Sequence, residues 1–138
     1  MWWIYALLSA FFAALTAIFA KVEIKNVNSD LATAIRTTII LIITWGIVFF
    51  GGKVGKISEL TKQNWIFLIL SGAATGLSWL FYFKALQIGK VAQVASVDKL
   101  SVALAIILAA VFLHEAISWK TAIGALLIIG GTFILILE

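Results

Sequence analysis

The chain has 138 residues, of which 64% are hydrophobic and 12% are charged, against roughly 45–50% and 25% in a soluble domain. So small a domain has too little interior to hide that much apolar surface from water, and low charge with no Cys or Pro excludes disorder, a disulfide scaffold and collagen-like repeats. Lipid is therefore the solvent for most of the chain. The +4 net charge, which in a soluble protein would suggest nucleic acid, falls mainly between long apolar runs, where it meets lipid head groups and sets topology.

A bilayer core about 30 Å thick needs roughly 20 apolar residues in helical form. The first such run covers residues 2–20 and ends at Lys21, Glu23 and Lys25. It has no basic residue ahead of it, is too long for a secretory leader and is followed by further runs, so it reads as a retained first helix. The second covers residues 31–50, after Asn28, Ser29 and Asp30, whose side chains suit a helix start, and before Gly51 and Gly52, which suit a stop. Residues 58–65 read either as a loop or as a short interfacial helix with Ile57, Leu60 and Trp65 toward the lipid. The third run covers 65–86, the fourth 91–113, closed by His114 and Glu115, and the fifth 119–137. Trp2, Trp3, Trp65 and Trp119 each begin a run and suit the aromatic belt at the head groups. Runs this long and uniformly apolar do not have the alternating pattern of a membrane β-barrel. The expected fold is an all-α integral membrane bundle of five transmembrane helices, one domain over residues 1–138, with connections too short for an extramembrane domain.

Small residues recur at four-residue spacing, which lets helices approach closely in lipid. Examples are Ala6, Ala10 and Ala14; Ser9, Ala13 and Ala17; and Ser101, Ala105 and Ala109. Gly72 and Gly76 in the third run and Gly124 and Gly131 in the fifth are assigned to helix packing. With no Pro, any hinge is expected at glycines such as Gly72, Gly76, Gly130 and Gly131.

Five spans place the termini on opposite faces. Lys53, Lys56, Lys62 and Lys120 belong to one face; Lys21, Lys25, Lys84 and Lys90 belong to the other, with Arg36 just inside it. So even a division gives the positive-inside rule little to act on. Two readings stand: a single topology set by another feature, or dual topology, in which copies insert both ways and pair as an antiparallel homodimer with inverted repeats.

Asp98 and Lys99 interrupt the fourth run. The clean apolar stretch after them is 14 residues, about 21 Å of helix and too short to cross. The span must then start near Val91 and carry Asp98 about 10 Å inward. Each charge near the bilayer centre costs about 2.5–3.5 kcal/mol on the insertion scale, and such a cost marks either a solute or coupling site or a pair that only shapes the bundle. Consecutive helical residues point about 100° apart, so both charges are expected to pair with other helices, with Arg36 and Lys84 as candidates for Asp98. Ser101 shares Asp98's face. In the third run Thr75, Ser78, Trp79 and Tyr82 form a second stripe, whose rings could give a solute an apolar face or hold a cation; ordinary packing is the alternative. Residues 51–57 (GGKVGKI) miss the phosphate-loop spacing and lack its Ser/Thr, and His114 and Glu115 lack the second His of a zinc helix. With one His and no Cys, no cofactor, metal centre or catalytic set is expected.

Several stretches are familiar: residues 10–21 (AFFAALTAIFAK), 30–38 (DLATAIRTT), 70–86 (LSGAATGLSWLFYFKAL), 97–104 (VDKLSVAL) and 112–135, which ends in Gly124-x-x-Leu-Ile-x-x-Gly131. Together they resemble the five-helix EamA-type repeat of the drug/metabolite transporter superfamily, closest to its small bacterial and archaeal group. Larger members are similar to two such repeats fused in opposite orientations. The resemblance implies a multi-pass protein of the cell membrane that moves small organic solutes, metabolites or drugs, often outward, by alternating access as an antiparallel homodimer. A half-transporter subunit needing a different partner chain is the alternative. The related four-helix small multidrug resistance proteins use a carboxylate in mid-helix one for proton coupling; here that helix has none, and Asp98 is the intramembrane acid available.

Overall fold

The computed structural model describes residues 1–23 and 27–137. Lys25, assigned above to the first connection, lies outside the described residues, as does the side chain of Glu23. The elements are α1 (Trp2–Glu23), α2 (Ser29–Phe50), a 3₁₀ helix (Val54–Glu59), α3 (Lys62–Ile88), α4 (Val91–Asp98), α5 (Leu100–Phe112) and α6 (Trp119–Ile136). All regular structure among the described residues is helical. Five segments are long and apolar enough to cross a bilayer, with α4 and α5 together making the fourth, Val91–Phe112. The chain is an all-α membrane protein with five spans, as its composition requires.

Local chemistry sets most of the boundaries. The Asn28 side chain accepts the N–H groups of Asp30 and Leu31 at 2.9 and 3.1 Å, satisfying amides that the first turn of α2 leaves without helical partners. At the other end Gly51 donates to the Ile47 carbonyl at 3.0 Å, and Gly52 takes a φ of 64°, a left-handed conformation open to glycine. A Cβ at Gly51 would stand 2.8 Å from the Ile47 carbonyl oxygen. Ser118 caps α6 by accepting the Thr121 N–H at 3.1 Å. The fourth span stops at Phe112, and its Ala109 carbonyl accepts the N–H groups of Leu113 and Glu115 at 2.9 and 3.3 Å. Residues 58–65, read as a loop or a short interfacial helix, instead hold the end of the 3₁₀ helix Val54–Glu59 and the start of α3 at Lys62.

The chain forms two compact units. Residues 23–87 hold α2, the 3₁₀ helix and α3. The threonines of α2 turn their hydroxyls inward to their own backbone: Thr33, Thr37 and Thr38 donate to the carbonyls of Ser29, Thr33 and Ala34 at 2.8, 2.8 and 3.0 Å. A hydroxyl in lipid needs such a partner, because hydrocarbon offers none. Gln87, near the end of α3, donates to the Val27 carbonyl at 3.0 Å and ties that end to the segment entering α2.

Residues 1–22 and 88–138 form the other unit, with most of α1 and all of α4, α5 and α6. Here α4 and α5 pack against α6. The Lys21 ammonium donates to the Gly89 carbonyl at 2.7 Å, so the end of α1 is fastened to the segment entering α4.

Burial follows membrane logic. Ala17, Ala20, Ala32, Ala103, Ser29, Thr33 and Thr132 are buried, whereas Phe83 and Leu86 are the only large side chains among the buried described residues. Large apolar side chains such as Phe11, Ile42 and Phe50 face outward, where lipid tails solvate them as well as a core would. The small-residue ladders are realised only in part. Ala17 is buried, but in α5 the buried small residue is Ala103, while Ser101 and Ala105 are exposed. No neighbouring atom stands within 4 Å of a Cβ added at Gly72, Gly76, Gly124, Gly130 or Gly131. Both α3 and α6 run unbroken through these glycines. The interruption falls instead at Lys99, in a span with neither Gly nor Pro.

Candidate functional site

The fourth span is discontinuous where its charges lie. Asp98 ends α4, Lys99 stands between the helices with φ −70° and ψ −12°, and α5 begins at Leu100. Two backbone bonds of the tighter i→i−3 type cross the joint: Lys99 N–H to Ser96 at 3.1 Å and Val102 N–H to Lys99 at 3.0 Å. Backbone N–H groups at this cap bond the carbonyls of both Ser96 and Val97. A short 3₁₀ stretch within a span is a usual mark of a hinge or functional break.

The two charges do not reach to different helices, as their angular separation suggested. Lys99 Nζ stands 3.4 Å from Asp98 Oδ2. The lysine stem is long and flexible enough to bring its ammonium to the carboxylate of the preceding residue. The side chains of Lys99 and Asp98 remain 59% and 37% exposed, so the protein does not itself desolvate the pair. An ion pair left that open inside an apolar span needs water, head groups or a polar solute around it.

A second cluster forms in the α2–α3 unit. The Arg36 guanidinium carbon lies 4.0 Å from the centroid of the Phe83 ring, within cation–π range, and Tyr82 meets Phe83 edge-on at 5.5 Å. Phe83 is buried, so it serves as the floor on which Arg36 and Tyr82 converge. Of the other α3 candidates, Trp79 is half-buried, whereas Thr75 is exposed and donates its hydroxyl to the Ser71 carbonyl at 2.9 Å. Lys84 is exposed.

Sequence reasoning singled out Arg36, Tyr82, Asp98 and Lys99, and missed Phe83, Gln87, Ser96 and Thr132. Phe83 is one of 10 phenylalanines and gives no signal until its neighbours are known. Thr132 lies in a glycine-rich apolar stretch, and a hydroxyl there was the available hint. Its side chain is buried, with the hydroxyl 3.0 Å from the Ser96 carbonyl and 2.8 Å from that of Ile128. Among the described residues no three His, Cys, Asp or Glu side chains come together as metal ligands would. What the sites offer is fixed charge and aromatic surface within apolar spans, suited to recognising a polar or charged solute.

The EamA-like transporter family matches residues 1–137. A protein of a Sinorhizobium species, named as an uncharacterized transporter in the cobO 3' region, is 48% identical over 134 residues, which cover 97% of this chain and 95% of that one. No solved structure matches the chain.

Proposed function

We propose, for a chain that belongs to the EamA-like transporter family, that this multi-pass transporter exports small organic solutes, metabolites or drugs, across the plasma membrane by alternating access as an antiparallel homodimer. The observation that carries the reading is the Asp98–Lys99 pair, open at a helix break inside an apolar span. Discontinuous helices whose exposed backbone and charges meet a solute are a recurrent design in secondary transporters. Solute contact is assigned to Trp79, Tyr82 and Thr75 of α3, to Arg36 of α2, and to Asp98, Lys99 and Ser101 at the joint. The near-even split of basic residues between the two faces supports insertion both ways, and a second, inverted copy supplies the repeat that larger relatives of this architecture carry in one chain. Energy comes from an ion or solute gradient, with Asp98 as the protonatable group.

The test is reconstitution of the purified chain in liposomes, with flux of a solute panel measured across a pH gradient. Wild-type protein is expected to transport at least one solute with pH dependence, and Asp98→Asn is expected to lose that dependence. Full pH-dependent flux in Asp98→Asn removes Asp98 from coupling. Absence of flux together with a copurifying second chain supports the half-transporter reading in place of the homodimer.

A further inference from the structure

The connection between α2 and α3 repeats every three residues. Lys53, Lys56 and Glu59 are charged; Val54, Ile57 and Leu60, each one place on, are apolar. In an α-helix this period would drift round the axis by about 60° per repeat, and in a strand it would alternate between faces. The segment is instead the 3₁₀ helix Val54–Glu59, in which three residues make a turn and positions i and i+3 stand one above the other. Its turn bonds run from Lys56 N–H to the Lys53 carbonyl and from Leu60 N–H to that of Ile57, at 3.1 and 3.2 Å. The charged and apolar residues therefore form two ridges side by side.

The ridges sit where water gives way to lipid. Lys53 N–H turns back to the Val48 carbonyl at 3.0 Å, so the segment stays close to the end of α2. Trp45 of α2 and Trp65 of α3, both exposed, flank the connection within about 9 Å of helix, at the level of an aromatic belt. Lys53, Lys56, Val54 and Ile57 are all exposed, and among the described residues neither lysine takes part in an ion pair. Packing does not hold this end of the α2–α3 unit. Its buried residues lie where α2 begins and α3 ends, and none of residues 34–82 is buried.

We propose that this connection is a binding surface for anionic phospholipid: Val54, Ile57 and Leu60 enter the acyl boundary, and Lys53 and Lys56 hold the head-group phosphate. The occupant follows from the two ridges together. A partner that presents negative charge and hydrocarbon one beside the other, at the membrane surface, is a lipid with an anionic head group. The lysine stems are long enough to lie along the apolar ridge and keep their ammoniums among the phosphates. Glu59, one turn beyond Lys56, opposes an anion and bounds the site on the α3 side. Bound lipid fixes the depth of the end of the unit that packing leaves free. The surface lies apart from the solute contacts assigned above, and its test uses no solute.

The chain has no cysteine, so Ser58→Cys places one fluorophore on the connection of the full-length protein. In phosphatidylcholine vesicles it is quenched by phosphatidylglycerol or phosphatidylcholine carrying a nitroxide near the top of one acyl chain. The anionic lipid is expected to reach half-quenching at a mole fraction about fivefold lower, the effect of one lysine near a lipid phosphate, and added salt is expected to narrow the gap. Lys53→Gln with Lys56→Gln is expected to make the two lipids quench alike, whereas Lys53→Arg with Lys56→Arg keeps the preference. Glu59→Gln is expected to widen it, and Lys120→Gln, elsewhere on the same face, to leave it unchanged. Equal quenching in the protein with its lysines intact would overturn the proposal, and that comparison needs no further variant to fold. A preference that survives the double Gln variant overturns it too, as does one lost equally in Lys120→Gln, which would mean diffuse surface charge in place of a site.

Discussion

His114 takes a φ of 54°, in the left-handed region that costs an L-residue roughly 1–2 kcal/mol. It stands just past the end of the fourth span, where glycine is the common solution. His114→Gly is expected to raise stability by about 1 kcal/mol, part of the relieved strain being offset by the greater freedom of glycine in the unfolded chain. Thermal unfolding in detergent reads this, and a fall in the midpoint would mean that the imidazole makes a compensating contact. Arg36 and Phe83 form the other residue-scale feature. A double-mutant cycle of Arg36→Ala and Phe83→Ala is expected to return a coupling of about 1 kcal/mol; additive effects would show that the stacked geometry carries no energy. Arg36 was legible in the sequence because a charge within an apolar run is conspicuous. Its platform was not, since an apolar ring among apolar neighbours looks the same whether it faces lipid or a guanidinium.

The helices themselves follow from local chemistry, which is why their positions were readable in advance. Asn28 and Ser118 cap α2 and α6 through bonds to amides two or three residues on, and such bonds depend on short-range sequence alone. Asn28→Ala is expected to cost about 1 kcal/mol, measured as a lower unfolding midpoint, whereas Asn28→Asp is expected to retain most of the stability. No change in Asn28→Ala would mean that the α2 start is held by tertiary contacts. The joint at Lys99 is the opposite case. Propensity and spacing describe residues 91–112 as one helix, and the glycines elsewhere looked like the places to bend. Beside the joint, a hydroxyl 36 positions further along the chain bonds the Ser96 carbonyl, and no local pattern contains that.

At the scale of the whole molecule, topology is the open physical question, and the chain is well suited to a direct answer because it has no cysteine. Ser58→Cys places a single thiol in the exposed connection between α2 and α3. With copies inserted both ways, a membrane-impermeant thiol reagent is expected to label it from either side, with each side reaching a substantial share. Labelling from one side alone would exclude dual topology and with it the antiparallel pairing proposed above.

Composition and run length by themselves determined that the chain lives in lipid, crosses it five times and keeps costly charges in the fourth span. They could do so because transferring charged or unpaired polar groups into hydrocarbon is expensive enough to be visible in any stretch of about 20 residues. Tertiary structure decided the rest: that most buried side chains are small, that Arg36 rests on Phe83, and that Asp98 meets Lys99 at the joint of the fourth span. These outcomes rest on one hydrogen bond or one ring contact each, about 1 kcal/mol apiece. Terms that small leave no trace in hydropathy, and depend on which residues distant in the chain are brought within a few ångströms.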